Sequence, residues 1–449
     1  MKFPTTTIAA ALLAACASNA FAAVSPEDAK KLGLTLTGVG AEKAGNKDGT
    51  IPEYTGGLTA SPAGFKKGEG SRPDPYANEK PLFSIDAKNM DKHADKLTEG
   101  TKALMKKYPT YRVDVYPSHR TAAFPKYVTD NTAKCAVSAK TTNNGLGIEG
   151  CHAGYPFPIP KTGNEAMWNH LVRYSGQAYQ YKYQAFNVDA SGKANLSSEG
   201  LVTQDYPYWD SGKQGGDVFY RIKIGYTGPP RRAGEAVMVV EPVDYVGKGR
   251  RAWQYLPGQR RVKLAPDISF DTPSSSTGGA TTYDDTFLFN GSMERYNFKL
   301  VGKKEVYVPY NNYKLAYASN PETVLKPNHL NPDFVRWELH RAWVVEATLA
   351  EGKRHIYSKR TFYLDEDSWV VLASDENDGR NQLYRSGFAY LTQSYDQPAP
   401  FADTQGHYDL ISGAYTMHLW PAQTGGVRYV DKLADKEWSA DTLAGSGVR

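Results

Sequence analysis

Cysteine, long apolar runs and net charge are all scarce in this chain, and each shortage removes a class of protein. Three cysteines occur among 449 residues, and none forms a C-x-x-C pair, so a thiol–disulfide redox motif is missing. Beyond the first residues no segment is hydrophobic enough to cross a bilayer as a helix, which takes about 20 apolar residues. Lys and Arg number 53 against 48 Asp and Glu, a net charge of +5. That mild excess argues against nucleic acid, whose binding needs a concentrated basic face. The chemistry-bearing motifs are missing too. There is no G-x-S-x-G elbow, P-loop, G-x-G-x-x-G after a strand or H-E-x-x-H. The nine His are scattered, with none paired at metal spacing. His170, near Trp168, reads as a structural histidine. No catalysis and no cofactor are expected.

What is present begins with an export signal. Lys2 precedes an uncharged stretch, Ile8 to Ala15, too short for an anchor, and Ala20-Phe21-Ala22 offers small residues for cleavage before Ala23. This predicts residues 1–22 as a signal peptide and a periplasmic location. Leu13-Ala14-Ala15-Cys16 is the rival: it fits a lipobox, after which a lipidated Cys16 would tether the protein to the outer membrane. Cys135 and Cys151 remain, close in sequence and bound for an oxidising compartment, and are expected to pair as a local staple.

The organisation follows from punctuation and period. Residues 23–80 are rich in Gly, Pro, Lys and Asp and read as an extended arm over the rest. Residues 81–176 carry two helical patterns. One runs from Met90 to Tyr108 and stops at Pro109; the other runs from near Asn164 through Trp168 and Leu171 to Gly176. From 177 to 425 the period changes to 2, in Ala178 to Val188, Val218 to Ile224, Ala236 to Val240, Ala252 to Leu256, Phe298 to Val308, Trp343 to Leu349, His355 to Leu364, Trp369 to Ala373 and Gln382 to Thr392, with tight turns between, and residues 426–449 form a tail with a short helix. Tight turns demand antiparallel neighbours. The fold class is therefore mainly β with α: a large curved antiparallel sheet or incomplete β-barrel, with helices covering the concave face. The 31 Tyr suit half-wet sheet faces and the walls of apolar clefts alike.

Asp271 to Ala280, rich in Ser, Thr and Gly, is expected not to pack, and reads as a mobile lid or a plain surface loop. The acidic run Asp365-Glu366-Asp367 and the pair Asp284-Asp285 read as polar turns in preference to calcium sites, and Asp375 to Gly379 reads as a turn. Arg231, Arg232, Lys248, Arg250, Arg251, Arg260, Arg261 and Lys263 gather around two hairpins, either as a solvated face or as a rim for anionic headgroups or an acidic partner.

Ordered segments resemble the proteobacterial family called domain of unknown function 1329. They are Ala23 to Ala29, Gly49 to Gly57, Pro156 to Pro160 with Glu165 to His170, Trp253 to Val262, and Trp337 to Thr348. Trp253 to Val262 also resembles a motif of the lipoprotein-sorting carriers LolA and LolB. The resemblance implies an incomplete β-barrel whose apolar cavity holds acyl chains, and a helper of exporters of the resistance-nodulation-division type. On that reading the partner is a hydrophobic small molecule or lipid, with an inner-membrane exporter or an outer-membrane component beside it. Trp168, Trp253, Tyr255, Phe287, Trp343 and Trp369 are the expected cavity residues. A structural or adaptor protein of the envelope is the alternative.

Overall fold

A computed structural model describes residues 24–213 and 215–446; the signal peptide expected at residues 1–22, with Cys16, lies outside them. Sixteen strands join one sheet. Thirteen of them make the body: β1 (Ala178–Val188), β2 (Ala194–Asp205), β3 (Val218–Gly228), β4 (Ala236–Pro242), β5 (Arg251–Leu256), β6 (Arg261–Leu264), β7 (Tyr296–Pro309), β8 (Trp337–Leu349), β9 (Lys359–Asp365), β10 (Val371–Asn377), β11 (Leu383–Ala389), β12 (Gln405–Asp409) and β13 (Tyr415–Trp420). Chain neighbours pair antiparallel within β1 to β6 and within β7 to β13, and β13 pairs back onto β1. The sheet is an antiparallel meander that does not close: β6 and β7, adjacent in sequence, are its two unpaired edges. A parallel contact occurs at its margin, where Val113–Val115 meets Trp337.

The residues between those edges connect them and lie on the inner face of the curl. Its cross-strand pairs align Arg360, Glu376 and Arg385 on one face, while Asp375 points the other way. Helix α1 (Glu99–Lys107) docks on that outer side, where Asp375 accepts the N–H groups of Glu99 and Gly100 at 3.1 and 2.9 Å. Helix α2 (Lys126–Ser138), which the sequence reading missed, follows Pro125 and carries Cys135, disulfide-bonded to Cys151. Helix α3 (Gly163–Leu171) starts where Thr162 accepts the Glu165 N–H at 3.2 Å, and it bridges the two halves of the curl. Gly163 lies so close to β7 that a Cβ there would stand 2.6 Å from the Phe298 carbonyl carbon. Five residues on, Trp168 packs against Phe219 of β3 and Tyr245 beyond β4. Helix α4 (Ala440–Ser446) covers the outer face of β4 and β5, where Ala236, Met238, Tyr255, Trp438 and Leu443 form a small cluster apart from the main core.

The single helix expected from Met90 to Tyr108 is a 3-10 stretch, Met90–Lys96, then α1, because the Thr98 side chain accepts the Thr101 N–H and restarts the helix. Strand β2 was not foreseen, since Ser197 and Ser198 stand where an apolar alternation would be expected, and Ser198 donates to the Ser276 carbonyl at 2.6 Å. Asp375 and Glu376 belong to β10 and are buried; the turn falls later, at Asp378 to Asn381. No helix among the described residues is long and apolar enough to cross a membrane.

Candidate functional site

The connection from Ala265 to Arg295 occupies the hollow of the curl, and the candidate site lies between the two. Loops this long in a packed body are commonly functional. An apolar cavity of about 60 Å³ separates the connection from the inner faces of β3 and β4; Ile222, Ile224, Val237 and Val239 form its floor, and Ile268 and Tyr283 its roof. A second hollow of about 220 Å³ continues past Arg250, Ile268 and Asn290. A third, of about 270 Å³, lies beyond the pair His407 and His418, whose rings are 5.3 Å apart and inclined at 40°. Burial keeps both imidazoles neutral, with His407 pushed down to about 4 and His418 well below its ordinary value. Two buried atoms at the first cavity's wall, His418 Nε2 and Asn290 Oδ1, make no hydrogen bond within the protein.

Far from failing to pack, the Asp271 to Ala280 stretch is tied down by backbone groups. Asn187 donates to the Thr277 carbonyl at 2.7 Å, and Arg232, stacked 3.8 Å over Tyr226, donates to the Ser275 carbonyl. Hydrogen bonds replace the apolar side chains the segment lacks. Further along, Asp284 and Asp285 are buried ion-pair partners, which corrects their reading as a polar turn. Arg360 donates to both, at 3.1 and 3.0 Å, and to the Leu288 carbonyl at 3.1 Å; Tyr357 donates to Asp285 at 2.9 Å. Burial would raise the pKa of Asp284, but Arg360, His355 and Thr282 outweigh it and hold the carboxyl well below its usual range. Phe287 and Leu288 are both held left-handed, with φ of 60° and 64°. For bulky L-residues this stores strain on the order of 1 kcal/mol each.

The six expected aromatics are not gathered around these cavities, and none of them is among the lining residues. Trp168 is fully buried, with its indole N–H on the Gly145 carbonyl at 2.8 Å. Trp343 and Trp369 stack 6.3 Å apart, and Trp369 donates to the Val39 carbonyl of the arm. Trp253 and Tyr255 face the opposite side of the sheet, under α4. Phe287 comes nearest: it packs on Tyr220, a cavity residue, with Arg173 4.2 Å from its ring. Alternation identified strands without saying which face was inner, so the bet fell on bulk alone. The basic group divides as well. Arg231, Lys248, Arg251, Arg260, Arg261 and Lys263 are exposed, whereas Arg232 pairs with Glu235 at 3.0 Å and Arg250 with the buried Glu241 at 2.5 Å.

Asp365, Glu366 and Asp367 do connect β9 to β10, but as a buried turn and not a wet one. Arg120 grips Asp367 at 2.7 and 2.9 Å, and Arg341 grips Glu366 at 2.6 Å. The same two guanidinium groups bind arm carbonyls, Glu42 at 2.7 Å and Ala44 at 2.6 Å, so this turn fastens the arm to the sheet. His170 is satisfied structurally: Val371 donates to its Nδ1 at 3.1 Å, and its Nε2 lies 3.0 Å from the Phe289 carbonyl.

A half-open antiparallel curl, bridged by a helix and filled by its own connection, defines the class of protein. Residues 84–444 match the family described as "Protein of unknown function (DUF1329)", and the chain belongs to that family. An uncharacterized protein of Pseudomonas aeruginosa is 42% identical over 412 residues, spanning 90% of this chain and 89% of that one. Among solved structures, a DUF1329 family protein from Desulfovibrio piger is 16% identical, covering 62% of this chain and 95% of that one with a TM-score of 0.42. A LolA superfamily protein from Nitrosomonas europaea is 12% identical, covering 63% and 100% with a TM-score of 0.37. At these values the strand pairing of the chain itself, and not the likeness, carries the fold.

Proposed function

We propose that the chain is a periplasmic, non-catalytic carrier or binding protein for a hydrophobic, lipid-like molecule, which lies between the inner sheet face and the connection Ala265 to Arg295. Service to an exporter of the resistance-nodulation-division type, or delivery to the outer membrane, is the finer form of this reading. The observation that carries it is the apolar cavity under a connection held by strained backbone and polar ties. Such a cover moves by breaking hydrogen bonds that water can replace. His418 Nε2 and Asn290 Oδ1 are suited to receive a small polar head beside an apolar tail.

One observation favours the adaptor reading: the first cavity, at about 60 Å³, has room for a few waters and not for an acyl chain unless the connection shifts. On that reading the exposed Arg231, Arg251, Arg260, Arg261 and Lys263 dock an acidic partner. Native mass spectrometry of protein purified gently from periplasm, with lipid extraction, separates the two. The carrier predicts a stoichiometric apolar ligand and uptake of fluorescent fatty acid; an apo mass with no uptake rejects it in favour of the adaptor.

A further inference from the structure

We infer that His340, Asp365 and Asp367 form a binding site for one first-row divalent metal ion of the Zn²⁺ or Mn²⁺ type. Each offers a ligand atom, all within 4.8 Å of one another, and all three residues are buried. A point equidistant from three atoms at that spacing lies about 2.8 Å from each. Bonds of about 2.1 Å therefore need only small inward side-chain movements. The inference is independent of the carrier reading and concerns a different part of the molecule.

The surroundings are arranged as a metal site requires. Glu338, itself buried and paired with Arg336 at 2.6 Å, lies 3.0 Å from His340 Nε2, while Tyr310 stacks on the imidazole at 3.7 Å. That fixes the ring through the carboxylate–histidine pairing common behind metal ligands. Asp365 is oriented in the same way: its Oδ2 accepts from Tyr310 at 3.1 Å and Ser368 at 2.5 Å, while the buried Oδ1 accepts nothing.

Charge points in the same direction. Glu366 has Arg341 and Lys303, and Asp367 has Arg120. Among the described residues no Lys or Arg lies within ion-pair distance of Asp365. A buried carboxylate without a counter-ion is costly, and a cation at this point removes the cost. Arg120 does not block it, because each Asp367 oxygen keeps a second lone pair. One imidazole, two carboxylates and no thiolate suit Zn²⁺ or Mn²⁺ better than Ca²⁺, which wants six or more oxygens. The ion would brace the turn to which Arg120 and Arg341 fasten the arm.

The test uses the full chain purified without a metal-affinity tag. Elemental analysis is expected to find about one equivalent of a first-row metal, and chelated protein to take up Zn²⁺ or Mn²⁺ in calorimetry with little response to Ca²⁺. Asp365→Asn and His340→Gln should weaken uptake by at least ~100-fold, and Glu338→Gln, a positioning change, by about 10–100-fold. Far-UV spectra check that each variant folds. If none does, the wild-type protein decides alone: chelated wild type that binds neither Zn²⁺ nor Mn²⁺ overturns the inference. Binding of Ca²⁺ only, or unchanged uptake in folded Asp365→Asn and His340→Gln, overturns it equally.

Discussion

Asp375 and Glu376 are neighbours in β10 and face opposite sides of the sheet, so one residue of register gives them different work. Asp375 caps α1 on the outer side. Glu376 points inward, where burial, reinforced by Asp285 against the pull of Arg360, pushes it up from 4.5 to about 8. Between those values the folded protein holds a proton that the unfolded chain has released. Its contribution to stability is therefore full at low pH and is lost as pH rises from about 4.5 to about 8. At 1.36 kcal/mol per unit the loss is on the order of a few kcal/mol. Glu376→Gln keeps the neutral shape. It is expected to match the wild type near pH 5 and to exceed it by a few kcal/mol at pH 8 in urea unfolding; parallel stability curves would remove the claim. In the sequence this residue read as part of a turn, because Asp and Glu at a strand end look the same whether wet or buried. The Arg360 and Asp285 that decide its state lie far away in the chain.

At the scale of elements, what was legible was whatever alternates or caps locally. β1 was foreseen to the residue, from Ala178 to Val188, since its Tyr and Phe alternate with polar residues. α3 was foreseen at its start, near Asn164, from its apolar run through Trp168 and Leu171, though it ends at Leu171 and not at Gly176. β2 and the inner connection were not, because Ser, Thr and Asp in them satisfy backbone groups instead of filling a core. The cluster under α4 is separate from the main core. Trp438 sits between Arg221 and Lys223, 4.9 and 5.6 Å from its ring, and touches none of the main core. Few apolar contacts hold this element, so it should open on its own. Trp438→Ala is expected to strip hydrogen-exchange protection from residues 435–446 while β1 keeps its own. Simultaneous loss in β1 would show instead that α4 is part of the global cooperative unit.

Across the whole molecule, two sheet edges that never pair leave a hollow, and the chain fills it with the segment joining them. The fold class was readable from the meander, but this self-filling was not, because nothing local marks which loop turns inward. It governs how a hydrophobic guest would bind. Opening costs the Arg232 and Asn187 ties, part of it returned by the strain at Phe287 and Leu288. A net cost on the order of 4 kcal/mol would offset about five buried methylenes at ~0.8 kcal/mol each. Binding should thus show a threshold in chain length: fatty acids with few methylenes leave the melting temperature unchanged, and longer ones raise it progressively. Arg232→Ala cuts one tie without leaving a fully buried carboxylate unpaired, since Glu235 is part-exposed. It is expected to move the onset to shorter chains by one or two methylenes, read as ligand-induced shifts in melting temperature across a homologous series. A preformed cavity would instead respond to every added methylene from the shortest chain upward, with the same onset in Arg232→Ala. That pattern would mean the connection is a fixed wall and not a cover.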